Sequence, residues 1–167
     1  MNLEPYRTFV KQKEAPVREM SIKDFRLMHC ALGLGSEFLE LSLADDSENY
    51  REELEDICWY LILTADVLEY DLDLLPEDFE PLEDPEDDFI IYLERFTSLV
   101  KKHTIYGKDK TSDINTCFYV LWMIFIQLLI EEEYRLDDVI EANMKKLNTR
   151  YATAFSQEES ETRKDKQ

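Results

Sequence analysis

The sequence predicts an all-α fold, a bundle of about five helices, and three observations carry that expectation. The chain has only 3 Gly in 167 residues, roughly 2% against about 7% in average usage, whereas strand-and-turn folds need residues at positive φ in their tight turns. Three of its 5 Pro fall in one short segment, which leaves long uninterrupted stretches on either side. Apolar residues within those stretches recur at separations of three, four or seven, the spacing of one helix face.

The elements follow in order. Residues 1–20 are mixed and charged, with Pro5 and Pro16, and read as an arm or an irregular lead-in. A first helix is expected from Ser21, whose side chain can cap the turn that carries Asp24. Phe25, Met28, Leu32, Leu39 and Leu43 form its apolar stripe. Gly33, one turn before Glu37, leaves open space on that acid's face. After Ala44–Asp46 a second helix runs from about Ser47 to Tyr70, with Leu54, Ile57, Cys58, Leu61, Ile62, Ala65 and Leu68 as its stripe.

Residues 69–88 change character. Eleven of these twenty residues are acidic and none is basic. Pro76, Pro81 and Pro85 should keep the segment out of helix, as a solvated loop. A third helix is expected over Phe89–His103, with Ile91, Leu93, Phe96, Leu99 and Val100 inward. A turn follows around Gly107. The fourth helix, capped by Ser112 or Asp113, continues to about Glu133, and a last one runs from Leu136–Asp137 to Ala152–Phe155. Residues 1–155 then make a single domain, and 156–167 a polar tail.

Charge narrows the partners. The chain carries 38 Asp+Glu against 19 Lys+Arg, a formal net charge of −19. Such a surface argues against a nucleic-acid polymer or an anionic membrane as partner. Without residues 69–88 the balance is 27 acidic to 19 basic, so one segment holds most of the excess. The apolar run Cys117–Ile130 falls short of the ~20 residues that span a bilayer, and Gln127 interrupts it. It reads as a helix buried in a core or in the interface of a homo-oligomer, dimer or tetramer. Cys30, Cys58 and Cys117 are widely spaced, each beside apolar residues. They read as buried free thiols of a cytoplasmic, reducing compartment. The N-terminus opens on polar residues, so no targeting segment is evident. Lys101, Lys102, Lys108 and Lys110 read as a solvated turn.

Candidate chemistry sits on the first two helices. Glu37 and Glu40 are three apart, as are Glu53 and Asp56, so each helix presents two carboxylates on one face. If the helices pack antiparallel, the pairs can face each other. Four carboxylates in one small volume repel and need a cation. Oxygen donors without His or Cys suit Mg²⁺ or Mn²⁺. On the last helix Asn143, Lys146 and Arg150 form one polar stripe beside Ile140, Met144, Leu147 and Tyr151.

These segments together resemble the all-α nucleoside triphosphate pyrophosphohydrolases of the MazG-like kind. That family has E-x-x-E on one helix and E-x-x-D on the next, followed by an apolar-aromatic run like Cys58-Trp59-Tyr60-Leu61. A later helix carries N-x-x-K-L-x-x-R-Y, here Asn143–Tyr151. The likeness covers residues 24–70 and 134–163. It implies that Glu37, Glu40, Glu53 and Asp56 hold Mg²⁺, with Glu40 or Glu53 as base. Water would attack the α-phosphorus of a (deoxy)nucleoside triphosphate, giving the monophosphate and pyrophosphate. Asn143, Lys146 and Arg150 would contact phosphate or sugar, and Trp59 or Tyr60 could stack on the base. Two departures stand out. Glu55 lies where the family often has a small residue such as Gly, and Phe38-Leu39 are bulkier than usual. The competing reading is a non-catalytic acidic helical adaptor, which accounts for the charge but not for the Asn143–Tyr151 element.

Overall fold

A computed structural model describes residues 3–14, 19–72 and 81–151. The described residues form six helices and no strand: α1 Glu4–Lys13, α2 Ile22–Leu43, α3 Ser47–Leu68, α4 Pro85–Thr104, α5 Thr111–Glu131 and α6 Leu136–Arg150. α2 packs against α3 and α4, α4 against α5, and α3 against α6. Residues 152–167, with the polar tail and the expected end of the last helix at Ala152–Phe155, and residues 73–80 of the acidic segment lie outside the described residues.

Local signals set the helix ends. The Ser21 side chain accepts from the Asp24 amide at 3.0 Å, as the capping pattern implied. Asp46 caps α3 by accepting from the amides of Glu48 and Asn49. That helix ends on Glu69 at φ 56°, where the Tyr70 amide donates back to Ala65 O and the Glu69 amide to Asp66 O. This is a Schellman closure made without glycine. Gly107 does supply the positive φ, 65°, of the turn after α4.

Several expectations need correction. Within the N-terminal residues Glu4–Lys13 is helical and not irregular; Pro5 falls in its first turn, where a missing N–H costs nothing. No residue of α1 is buried, so it adds a sixth helix but nothing to the core. Pro85 does not break a helix but begins one: Asp84 caps α4 and Pro85 is its first residue. α4 therefore starts four residues before Phe89. Neither Ser112 nor Asp113 caps α5, which begins at Thr111, with Asp109 accepting from the Thr111 amide.

The largest correction concerns α2. The stripe Phe25, Leu32, Leu39 and Leu43 faces outward. The buried stripe is Leu27, Cys30, Ala31, Leu34, Phe38 and Leu41. Both sets have helical periodicity, so spacing alone could not choose between them. On α4, Ile91 is likewise exposed while Leu93, Phe96, Leu99 and Val100 are buried. On α3, Ile62 is exposed and the rest of the expected stripe is buried or half-buried.

α5 is the core helix. By length and composition it resembles a membrane span, yet 67% of its apolar window is buried within the chain. Its apolar surface is thus covered mainly by its own neighbours, and little of it is left for a second copy. Fully buried Phe118, Leu121, Ile124, Phe125 and Leu129 stack along it, each contributing about 1.5–3 kcal/mol by leaving water. Gln127 is the buried polar exception. It donates to Leu82 O and accepts from the Leu82 amide, both at 2.9 Å, and also donates to Glu131. These bonds satisfy the amide and clamp the end of the acidic segment to the core. Tyr50 Oη, donating to Glu86 at 2.7 Å, joins α3 to the start of α4. All three cysteines are buried and unbridged; burial pushes the Cys58 thiol up to about 12 and Cys117 to about 11.

The α2–α3 pairing positions the candidate site. Lys23 meets Glu69 at 3.1 Å and Arg26 meets Asp66 at 2.5 Å, an antiparallel register. Exposed pairs of this kind contribute at most ~1 kcal/mol each, so they mark the register more than they hold it. Farther along, the Tyr60 ring lies over Gly33, so the space beside that glycine is not open. A Cβ there would stand 2.1 Å from the ring. The ring is hemmed in by His29 at 5.5 Å and Trp59 at 4.8 Å between centroids.

A double-mutant cycle tests this contact. Gly33→Ala should lower the melting temperature despite the ~1 kcal/mol that Ala gains over Gly in a helix. In a Tyr60→Ala background the same change should be stabilising. Stabilisation by Gly33→Ala in the unaltered chain would show that the ring does not depend on the glycine.

Candidate metal centre

Beyond Gly33 the register of α2 against α3 brings acids together. One carboxylate oxygen from each of Glu37, Glu40 and Glu53 lies within 4.8 Å of the other two. Glu37 and Glu53 are half-buried and Glu40 is exposed. The Ser36 hydroxyl lies 3.3 Å from Glu37 Oε1. Three oxygen donors at this separation, from side chains that carry no nitrogen or sulfur, could hold a hard cation.

The fourth acid is placed differently. Asp56 turns toward α6, where its Oδ1 accepts from Asn143 Nδ2 at 3.0 Å and lies 2.7 Å from Lys146 Nζ. The lysine contact is an ion pair poorly aligned for a hydrogen bond. Asn143 is buried at 6% exposure, so this amide–carboxylate bond is shielded from water. Lys146 Nζ is also 3.8 Å from Glu52 and 4.0 Å from Glu55. Asp56 is therefore held by the basic stripe, while its charge still acts on Glu37 and Glu53.

Burial, followed by charge repulsion, raises the proton affinities of these groups. Glu53 is pushed up to about 7 from 4.5, first by burial and then by Glu40, Asp56, Glu37 and Glu52. Glu37 is raised by burial, Asp56 and Glu40, against opposing pulls from Ser36 and Lys146. Glu55 is raised by burial, which outweighs Lys146 and Arg51. The nearby Tyr60 phenol is raised by burial and then by Glu37 and Asp56, which places that ring at the edge of the cluster. Desolvation and like charge act in the same direction here.

The expected site residues thus divide. Glu37, Glu40 and Glu53 converge, while Asp56, Asn143 and Lys146 form a second group whose Asp56 charge is felt by Glu37 and Glu53. Arg150 is the last residue of α6 and is half-buried, one turn beyond Lys146. Trp59 packs edge-on to His29 at 6.4 Å and to Tyr60, keeping 38% of its surface exposed. Three participants were not evident as site residues in the sequence. Tyr60 was legible only as one of two stacking aromatics, and its tie to Gly33 was not. Glu52 is an ordinary exposed-looking acid until α6 brings Lys146 to it. Glu55 stood out as a departure from the family pattern; in the fold it is buried at 7% exposure and shares Lys146 with Asp56. Comparison with protein-family models, with curated proteins and with solved structures returns no match.

A stability profile tests the electrostatics. The folded state holds the Glu53 proton more tightly than the unfolded chain does. The associated stability is therefore complete below pH 4.5 and is lost as pH rises through about 7. In chelator-treated buffer the melting temperature should fall between pH 5 and 8, and Glu53→Gln should flatten that fall. A flat or rising profile for the unaltered chain would contradict the arrangement.

Proposed function

We propose that this protein is a Mg²⁺-dependent hydrolase that cleaves (deoxy)nucleoside triphosphates to the monophosphate and pyrophosphate. The observation that supports it most is the joining of two motif groups across three helices. Three of the four E-x-x-E and E-x-x-D acids, Glu37, Glu40 and Glu53, converge between α2 and α3, and the fourth, Asp56, is bound by the N-x-x-K element of α6. Helical spacing alone supplies no reason for Asn143 and Lys146 to face those acids, 87 residues away in the case of Asn143.

Glu37, Glu40 and Glu53 would hold Mg²⁺ (or Mn²⁺). When bound, the cation supplies neutralisation of the triphosphate charge and a more acidic water. Asp56 orients Lys146 and keeps it close to the cluster. An incoming phosphate competes with Asp56, Glu52 and Glu55 for that ammonium, whose charge is compact and mobile on its stem. Arg150, farther along α6, would engage the more distant phosphate or the sugar. Asn143, held by Asp56, fixes the angle at which α6 meets the cluster. Glu40 or Glu53 receives the proton of the attacking water at a carboxylate oxygen. Trp59, 38% exposed and packed edge-on to Tyr60, offers a surface for the base. Three buried, unbridged thiols fit a reducing, cytoplasmic setting.

The adaptor reading retains one supporting observation, the exposed apolar stripe of α2. It requires a binding partner that survives loss of all four acids.

The direct test is a panel of common and modified nucleoside triphosphates with Mg²⁺, read by pyrophosphate release. Glu53→Gln should lower turnover by at least ~100-fold, in the range for removing an acid–base group. Glu133→Gln, in the exposed turn after α5, should leave it unchanged. No pyrophosphate from any triphosphate would overturn the proposal. Equal loss in Glu133→Gln would also overturn it.

A further inference from the structure

The outward stripe of α2 has an order that an ordinary solvated face lacks. Ile22, Phe25, His29, Leu32, Ser36, Leu39 and Leu43 follow one another at separations alternating between three and four. That alternation is the seam of a helix that packs along its length against another helix. Its five large apolar members are 60–82% exposed. The 22 residues of α2 extend about 33 Å, so the seam is long as well as apolar. Apolar surface gathered in one strip marks an interaction face, unlike scattered single residues.

The seam is complementary to itself in one orientation. Reversed and laid against a copy of itself, Ile22 meets Leu43, Phe25 meets Leu39, and Leu32 meets Leu32. The polar pair His29 and Ser36 then also meet each other, so no polar seam residue is placed against an apolar one. Gly35 beside the seam would leave open space around an added Cβ, which permits close approach of a second backbone. The flanking charges agree with the same register. Arg26 and Glu40 lie on one flank of α2, the flank toward α3. Only an antiparallel partner sets that flank against its own equivalent, bringing Arg26 of each copy to Glu40 of the other. A parallel partner would set it against the Met28–Gly35–Ser42 flank, which carries no charge. Arg26 already binds Asp66 at 2.5 Å, and its five donors leave capacity for a second carboxylate.

We infer that the outward face of α2 is the interface of a two-fold symmetric homodimer, in which α2 pairs antiparallel with α2 of a second copy. Leu32 lies at the two-fold axis, and isologous contact follows from that symmetry. The second copy's Arg26 then stands beside Glu40, at the rim of the carboxylate cluster. Trp59 of α3, 38% exposed, touches the seam at His29. This interface does not depend on the catalytic reading, because it uses neither a metal nor a nucleotide.

Sedimentation and cysteine cross-linking test it together. At micromolar concentration the unaltered chain should sediment at twice its 19.9 kDa mass. Leu32→Glu, which sets two carboxylates against each other at the axis, should halve that mass with unchanged helical circular dichroism. The native cysteines are buried, so engineered thiols report alone under the oxidant diamide. Leu32→Cys should cross-link to itself. Ile22→Cys and Leu43→Cys should cross-link when mixed and not separately. A single-chain mass for the unaltered protein would overturn the inference, including the case where α1 of the same chain covers the seam. A dimer that persists in Leu32→Glu, or self-cross-linking of Ile22→Cys, would also overturn it.

Discussion

Like charge confined between α2 and α3 is the constraint on which this structure turns. Glu37, Glu40 and Glu53 crowd together, and Asp56 adds a fourth charge felt by two of them. A helix pair could avoid this by rotating a few tens of degrees. It does not, because α2 is fixed on its other sides. Leu34, Phe38 and Leu41 are buried, Phe38 stacks on Phe89 of α4 at 4.9 Å, and Gly33 receives the Tyr60 ring. Core packing of about 1.5–3 kcal/mol per large side chain holds the acids where isolated electrostatics would separate them.

The chain's own compensation comes from α6 and is partial. Lys146 is 90% buried at its side chain and reaches Asp56, Glu52 and Glu55. It answers the acids on the α6 side of α3. Glu37, Glu40 and Glu53 lie on the α2 side, and among the described residues no ion pair reaches them. The proton affinity of Glu53 is raised first by burial and then by these unneutralised neighbours. Strain of this kind is concentrated where chemistry is done, which is why the cluster, and not the larger acidic segment 69–88, carries the functional proposal.

How much of this was legible in the sequence depends on which link is asked about. The all-α class was legible from scarce glycine and helical periodicity, and so were the α2 cap at Ser21 and the turn at Gly107. Convergence of Glu37, Glu40 and Glu53 followed from two i, i+3 pairs on adjacent helices. The facing of α2 was not legible, because Leu27–Leu41 and Phe25–Leu43 are both good apolar stripes. Only packing against α3 and α4 decides between them. The role of Gly33 was hidden for a similar reason, since the ring that fills its space comes from another helix. Asp56 looked equivalent to the other three acids. Its diversion to Asn143 and Lys146 depends on where α6 docks, which local sequence does not encode.

The central claim is that Glu37, Glu40 and Glu53, which no ion pair reaches among the described residues of their own chain, form a site for a hard divalent cation. Mn²⁺ titration followed by electron paramagnetic resonance tests it most directly, since free and bound ion give different signals without any need for turnover. The account expects saturable binding of at least one Mn²⁺ per chain, competed by Mg²⁺ and lost in Glu53→Gln. No saturable binding, or binding that Glu53→Gln leaves intact, would contradict it.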